Sequence, residues 1–221
     1  MVRVPSDNPS GADNQQGSPL RPTSGGSVTP QRLHAELLAA SAKVLEAYLQ
    51  GALRDGTRNA RHNTHRFSQA DRGWLEVLQD ALHLLGHRSW IYREGRERTL
   101  WVLETTARFL NLEFHPTPLI GTKCDLSYVR GYFDADGGMP RDSSARLYLQ
   151  LCQKSRPSLE EIVSILEYWN IECGRVHNPS VRVDPDYWRF FVRTRSQADF
   201  VRLVSSWHPM KRQQMENRMK I

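Results

Sequence analysis

The chain has 221 residues, 39% of them hydrophobic, with 6 Trp, 7 Tyr and 7 Phe, and a net charge of +6 at a pI near 9.5. That length can bury a real core in one large domain or two small ones, and no apolar run approaches the roughly 18 residues of a membrane span. Cys124, Cys152 and Cys173 form neither a paired framework nor a Cys-x-x-Cys, which excludes a disulfide scaffold and points to a reducing compartment.

Only five of the basic residues are lysines, at positions 43, 123, 154, 211 and 220. The arginine excess suits phosphates and guanine edges, and a GC-rich genome accounts for it equally well. Residues 1–30 are rich in Pro, Gly, Ser and Asn and have little to bury, which predicts a disordered tail. They lack the apolar segment of a signal peptide, so the expected location is the cytoplasm or nucleoid, or an organelle if the source is eukaryotic, and not outside the cell. The stretch LHAELLAASAKVLEAYLQGALRDG is predicted to be helical and to end on Asp55-Gly56. A polar, hairpin-like segment then closes on Gln69 in HRFSQ. The run DRGWLEVLQDALHLLG places Trp74, Leu75, Leu78, Leu82 and Leu85 at helical spacing, with Gly86 as its stop. Two strand-like runs, RSWIY and TLWVLET, flank the charged loop REGRER (93–98), and TTARFLNL reads as a short closing helix.

The same order is then written a second time. YVRGYFDADGG ends on Asp136-Gly137, and the strand RLYLQLCQ ends on Gln153. A helix opened by a capping box over Ser158 and Glu161 runs to Trp169 and stops at Asn170. Strand-like GRVH and YWRFFVRTR follow, and the helix SQADFVRLVSSW closes the unit. Gln69 to Gly86 and Gln153 to Asn170 both span 17 positions, and Trp101 and Trp188 fall at matching points in the fourth strand. The expected boundaries are a tail over 1–30, a first repeat over 31–112, a linker over 113–125, and a second repeat with a basic C-terminal tail over 126–221.

A single Asp-Gly is most often a turn or a helix stop. Two helices that both end on one carry more information, because a helix C-terminus is already partially negative and an aspartate there needs a compensating cation. Aligned on Asp-Gly, Asp136 matches Asp55, whereas Asp134 matches Leu53. Only the last acid recurs, and Asp134 is assigned to hydrogen bonding near the helix end.

These residues resemble the LAGLIDADG homing endonuclease family in its single-chain, two-motif form. The likeness is carried by YLQGALRDG (48–56) and YVRGYFDADG (128–137), by the glutamines of FSQ (67–69) and CQK (152–154), and by the tail WHPMKRQQMENR (207–218). It implies an α+β fold of two pseudo-symmetric αββαββα repeats, packed through central motif helices, with two antiparallel sheets forming a DNA-binding saddle. Small residues for close helix packing are expected at Ala47, Gly51, Gly131 and Ala135. The implied catalytic set is Asp55, Asp136, Gln69, Gln153 and Lys154, with Ala70 at the lysine's place in the first repeat. The implied metal is Mg²⁺ or Mn²⁺, held by Asp55, Asp136, Gly56 and Gly137, since a hard cation takes oxygen ligands. The expected assembly is a monomer on double-stranded DNA with a long target site, cutting both strands, with no membrane partner.

Strand alternation separates Leu147, Leu149 and Leu151 from Arg146, Tyr148, Gln150 and Cys152, and Trp188, Phe190 and Val192 from Arg189, Phe191 and Arg193. The arginine-bearing face fits the major groove, where arginine and glutamine read base edges. Arg175 joins that set, and Arg58, Arg61 and Arg66 around the first hairpin serve likewise. A solvated sheet face explains any single one of these arginines as well. REGRER and NPSVRVDPD (178–186) are expected to be phosphate-contacting rims.

Other chemistries find no support. There is no glycine-rich phosphate loop, no G-x-S-x-G and no His-Glu zinc helix, and Cys173 and His177 lack two further zinc ligands. The ends lack the Cys/Ser start and His-Asn finish of an intein, so a free-standing protein is expected. The rivals that remain are a cleavage-inactive, LAGLIDADG-derived DNA-binding regulator and an RNA-binding intron maturase.

Overall fold

The computed structural model describes residues 30–95, 100–142 and 144–219. Most of the expected tail and part of the loop 93–98 therefore lie outside the described residues. The first expected helix is two: α1 (Pro30–Ala39) and α2 (Ala42–Ala52) are separated at Ser41, whose backbone is extended (φ −69°, ψ 156°). A 3₁₀ turn over Leu53–Asp55 prolongs α2 and leads to β1 (Thr57–Asn59), β2 (Thr64–Gln69), α3 (Arg72–Leu84), β3 (Ser89–Arg93) and β4 (Trp101–Thr105). The second half runs α4 (Lys123–Asp136), β5 (Gly137–Gly138), β6 (Gln150–Gln153), α5 (Arg156–Tyr168), β7 (Trp188–Phe191), α6 (Gln197–Leu203) and α7 (Pro209–Met219). The fold is α+β, with two antiparallel sheets ordered β1-β2-β4-β3 and β5-β6-β7.

Three local expectations change. TTARFLNL is not helical, because Gln50, reaching from α2, exchanges hydrogen bonds with both the backbone N–H and C=O of Asn111 and so replaces the bonds a helix would supply. GRVH joins its sheet only through isolated bridges, Cys173 to Val192 and His177 to Arg189. The cap of α5 is Ser155, which accepts from Ser158 N, so the helix starts earlier than the capping box implied. Glu161 is thereby freed to pair with Arg54 (3.8 Å) and His115 (2.8 Å). In addition, α4 begins inside the expected linker, capped by Thr122.

Helices α2 and α4 cross at the centre with reciprocal geometry. A Cβ added to Gly51 would lie 2.0 Å from the Tyr128 carbonyl oxygen, and one added to Gly131 would lie 1.9 Å from that of Tyr48. Only glycine permits this approach. Ala47 is buried in the cluster of the second half, and Ala135 packs against that of the first. The two hydrophobic clusters otherwise divide by half, except that Trp207 from the C-terminal segment belongs to the first.

The crossing fixes the true register of the repeat. Gly51 faces the turn of Gly131, so Arg54 is the counterpart of Asp134, and the first motif is one residue short before its aspartate. The 3₁₀ turn makes up the difference. Three residues at about 2.0 Å rise cover the same ~6 Å as four α-helical residues at about 1.5 Å, so Asp55 reaches the level of Asp136.

Candidate active site

Each motif aspartate is the last residue of its helical segment, and each is met by the glutamine ending the second strand of its unit. Gln153 Nε2 donates to Asp136 Oδ2 at 2.8 Å, and Gln69 Nε2 donates to Asp55 Oδ2 at 3.3 Å. Gln153 Nε2 also lies 3.5 Å from the carbonyl oxygen of Arg54, the residue before Asp55. One amide thus touches both helix ends, which places the carboxylates in a single site. Lys154, beside Gln153, is exposed, and so is Ala70 in the first unit.

Lys211, which the sequence reading left without a role, answers the charge problem. Its Nζ donates to the carbonyls of Phe133 (2.6 Å), Asp134 (2.9 Å) and Gly137 (2.7 Å), capping the negative end of α4 with a cation. It lies near Asp134, Asp136 and Asp55, yet burial outweighs their attraction and brings its pKa down to about 8. Nothing in its helix pattern marks it: its partners lie 74 to 78 positions away.

Asp134 is buried and acts structurally, as expected. It accepts from the Tyr48 hydroxyl (2.9 Å) and from the backbone N–H groups of Trp207 (2.8 Å) and His208 (3.1 Å), tying down the segment that delivers Lys211. Its counterpart Arg54 does the same with opposite charge. The guanidinium donates to the Tyr128 hydroxyl (2.9 Å) and to the carbonyls of Leu112 (3.0 Å) and Phe114 (2.8 Å). An acid gathers N–H groups in one half, and a base gathers carbonyls in the other.

The two motif carboxylates raise each other's energy. Burial first, and then the neighbouring charge of Asp55, push Asp136 up to about 7, while burial raises Asp55. Among the described residues no cluster of three or more His, Cys, Asp or Glu exists. A metal here would rest on two carboxylates completed by water and substrate oxygens, which is how Mg²⁺ is commonly held. Each aspartate has one oxygen that accepts from a glutamine and a second free of such a bond, so the donor set fits a hard divalent cation. The Gly137 carbonyl, one of the four ligands first expected, also accepts from Lys211 Nζ at 2.7 Å, which uses one of its two lone pairs.

The sheet faces sort the basic residues. In the second sheet, Gln150 pairs with Phe191 and Cys152 with Arg189, so Arg189, Gln150 and Phe191 share the face opposite Leu151 and Phe190. Tyr148 sets its ring edge-on to Phe191 on that side, Arg146 reaches Thr194, and Arg175 and Arg193 are exposed. In the first sheet, Arg66 pairs with Glu104 on the face opposite Phe67 and Leu103, whereas Arg58 pairs with His65 and shares the face of Phe67. Arg58 therefore falls off the surface assigned to it, because β1 meets β2 in a register that the sequence does not reveal. Arg61 sits in the exposed turn between those strands.

Two antiparallel sheets suspended from a pair of glycine-packed helices, each finishing on an aspartate, define the LAGLIDADG fold. A family model described as LAGLIDADG-like domain matches residues 123–205, the second repeat. No curated protein is a significant sequence match. The crystal structure of I-DmoI in complex with DNA and Mn is similar with a TM-score of 0.56 at 16% identity, covering 75% of this chain and 98% of that one. Mesophilic variants of the homing endonuclease I-DmoI give 0.55 at 16% identity, over 74% and 96%. The N-terminal LAGLIDADG domain of DUF199/WhiA gives 0.59 at 18% identity, over 86% and 96%.

Proposed function

We propose that the chain is a site-specific endonuclease that cuts double-stranded DNA by metal-dependent phosphodiester hydrolysis. The observation that carries this reading is the convergence of Asp55 and Asp136, with Gln153 touching both helix ends. Both aspartates come from one chain, so a single copy carries a complete pair. A bound divalent ion would activate water and stabilise the leaving oxygen. The residues supply the rest. Gln69 and Gln153 orient the carboxylates, Lys211 holds the end of α4 and places a positive charge beside the pair, and Asp136 holds a proton up to about pH 7 when no cation is present. In this reading Arg189 on the second sheet, with Arg146, Arg175 and Arg193 in the segments around it, faces the duplex.

The test is selection of bound duplexes from a random library, followed by incubation with Mg²⁺ or Mn²⁺ and mapping of broken strands. Metal-dependent breaks at one sequence support the reading. Duplexes that are bound and never cut support instead a DNA-binding protein without nuclease activity, the second reading, which Ala70 favours by leaving the first site without a counterpart of Lys154.

Lys211→Met is expected to reduce single-turnover cleavage at saturating protein by about 100-fold, the scale of losing one charge-stabilising group at a reaction centre, with duplex affinity within about threefold of the parent. An unchanged cleavage rate would remove Lys211 from the site. Affinity should also fall steeply between 50 and 200 mM salt, with a log–log slope of about −4 or steeper, as phosphate contacts release counterions. A flat response in filter binding contradicts the assignment of the arginine face.

A further inference from the structure

The face of the first sheet opposite Phe67 and Leu103 is built around a buried acid. Glu104 is 5% exposed and accepts from Asn59 Nδ2 (3.2 Å), from the Thr64 hydroxyl and from the Tyr92 hydroxyl (2.9 Å). These hydrogen bonds outweigh burial and keep its pKa low, so it is ionised and can only accept. A hydroxyl has one proton to give. With that proton committed to Glu104, Tyr92 can act toward any other group only as an acceptor. Asn59 must likewise turn its NH₂ inward, which leaves its carbonyl oxygen for a ligand. Arg66, the basic residue of this face, is held by Glu94 at 2.7 Å and also directs a donor toward the Tyr92 oxygen, which takes the acceptor role there.

We propose that Glu104 is a specificity-determining, positioning residue: by fixing Tyr92 and Asn59 as outward acceptors, it makes the first sheet a reader of exocyclic amino groups, the N6 of adenine and the N4 of cytosine, in the major groove. The second sheet has the opposite polarity. Arg189 on that sheet, with Arg146 and Arg193 in the segments flanking its strands, supplies donors suited to guanine N7 and O6. One chain thus carries two half-site readers of complementary hydrogen-bond sense, which no count of basic residues would suggest. This inference rests on the DNA reading above.

The experiment uses the selected duplex in metal-free buffer and removes single groups: purine for adenine and 2-pyrimidinone for cytosine delete the amino groups, and 7-deazaguanine deletes the N7 acceptor. The half bound by the second sheet is identified as the one whose 7-deazaguanine penalties vanish in Arg189→Ala. In the other half, amino deletion at one or more base pairs is expected to weaken the parent protein's binding about 10-fold, the scale of one lost base contact. Glu104→Gln and Tyr92→Phe should each reduce that penalty to less than about twofold, with 7-deazaguanine penalties in the opposite half unchanged. The inference is overturned if amino deletions in that half cost the parent nothing, or if folded variants keep the full penalty or lose discrimination equally in both halves. The deletion series on the parent protein decides the point even if a variant does not fold. A parent protein that selects no duplex sinks the DNA reading itself, a distinct outcome.

Discussion

Gly131→Ala is expected to destabilise the protein by about 4 kcal/mol or more, enough to remove most of a typical domain's stability. The new Cβ would sit 1.9 Å from the Tyr48 carbonyl oxygen and 2.8 Å from Ala52 N, both backbone atoms of the facing helix. Neither can move alone, because α2 and α4 are buried on both sides of the crossing. The helices must separate, and the separation opens gaps around Tyr48, Tyr128 and Tyr132, all fully buried. Gly51→Ala should do the same by the reciprocal contact. Gly138→Ala is the control, since a Cβ there meets only the Gln150 side chain at 3.8 Å. Urea melts of the three variants test the claim. A midpoint for Gly131→Ala near that of Gly138→Ala would show that the crossing is looser than described.

Asp136→Asn is expected to abolish cleavage, by more than about 1,000-fold, while duplex binding stays equal or improves. It should also stabilise the metal-free protein, for a reason that fixes the sign. The folded pKa of Asp136, about 7, lies above that of an unfolded aspartate, so the folded state binds the proton more tightly. The resulting penalty is absent below about pH 4, grows as pH rises toward 7, and is constant above it. Asparagine removes it, so a Tm gain of about 4 °C or more, equivalent to roughly 2 kcal/mol, is expected at pH 8 in EDTA and little at pH 4. Added Mg²⁺ should narrow the gap by stabilising only the parent. A variant less stable than the parent at pH 8 would mean that Asp136 is a structural acid like Asp134.

The repeat, the two sheets and the paired acids were legible because they are written in local periodicity. Apolar spacing every three to four residues marked α3 and α5, alternation marked β6 and β7, and glycine or asparagine marked the helix stops. The same reading misplaced the start of α5 and supposed a helix over 105–112. There the deciding partners, Ser155 in one case and Gln50 in the other, satisfy backbone groups that a local pattern leaves open.

What the sequence alone determined about this protein is that two equivalent helices end on aspartate and that a glutamine closes each following strand. These features follow from chain order, so they survive without coordinates. Tertiary structure alone decided the rest: that a 3₁₀ turn levels the shorter motif with the longer, that Lys211 returns from the C-terminal segment to cap α4, that Arg58 and Arg66 part to opposite faces, and that Glu104 sets the polarity of one sheet. Each of these depends on which side chains meet across the packed helices and sheets. That is fixed by close packing and by the need to satisfy buried polar groups, and neither constraint is local in sequence.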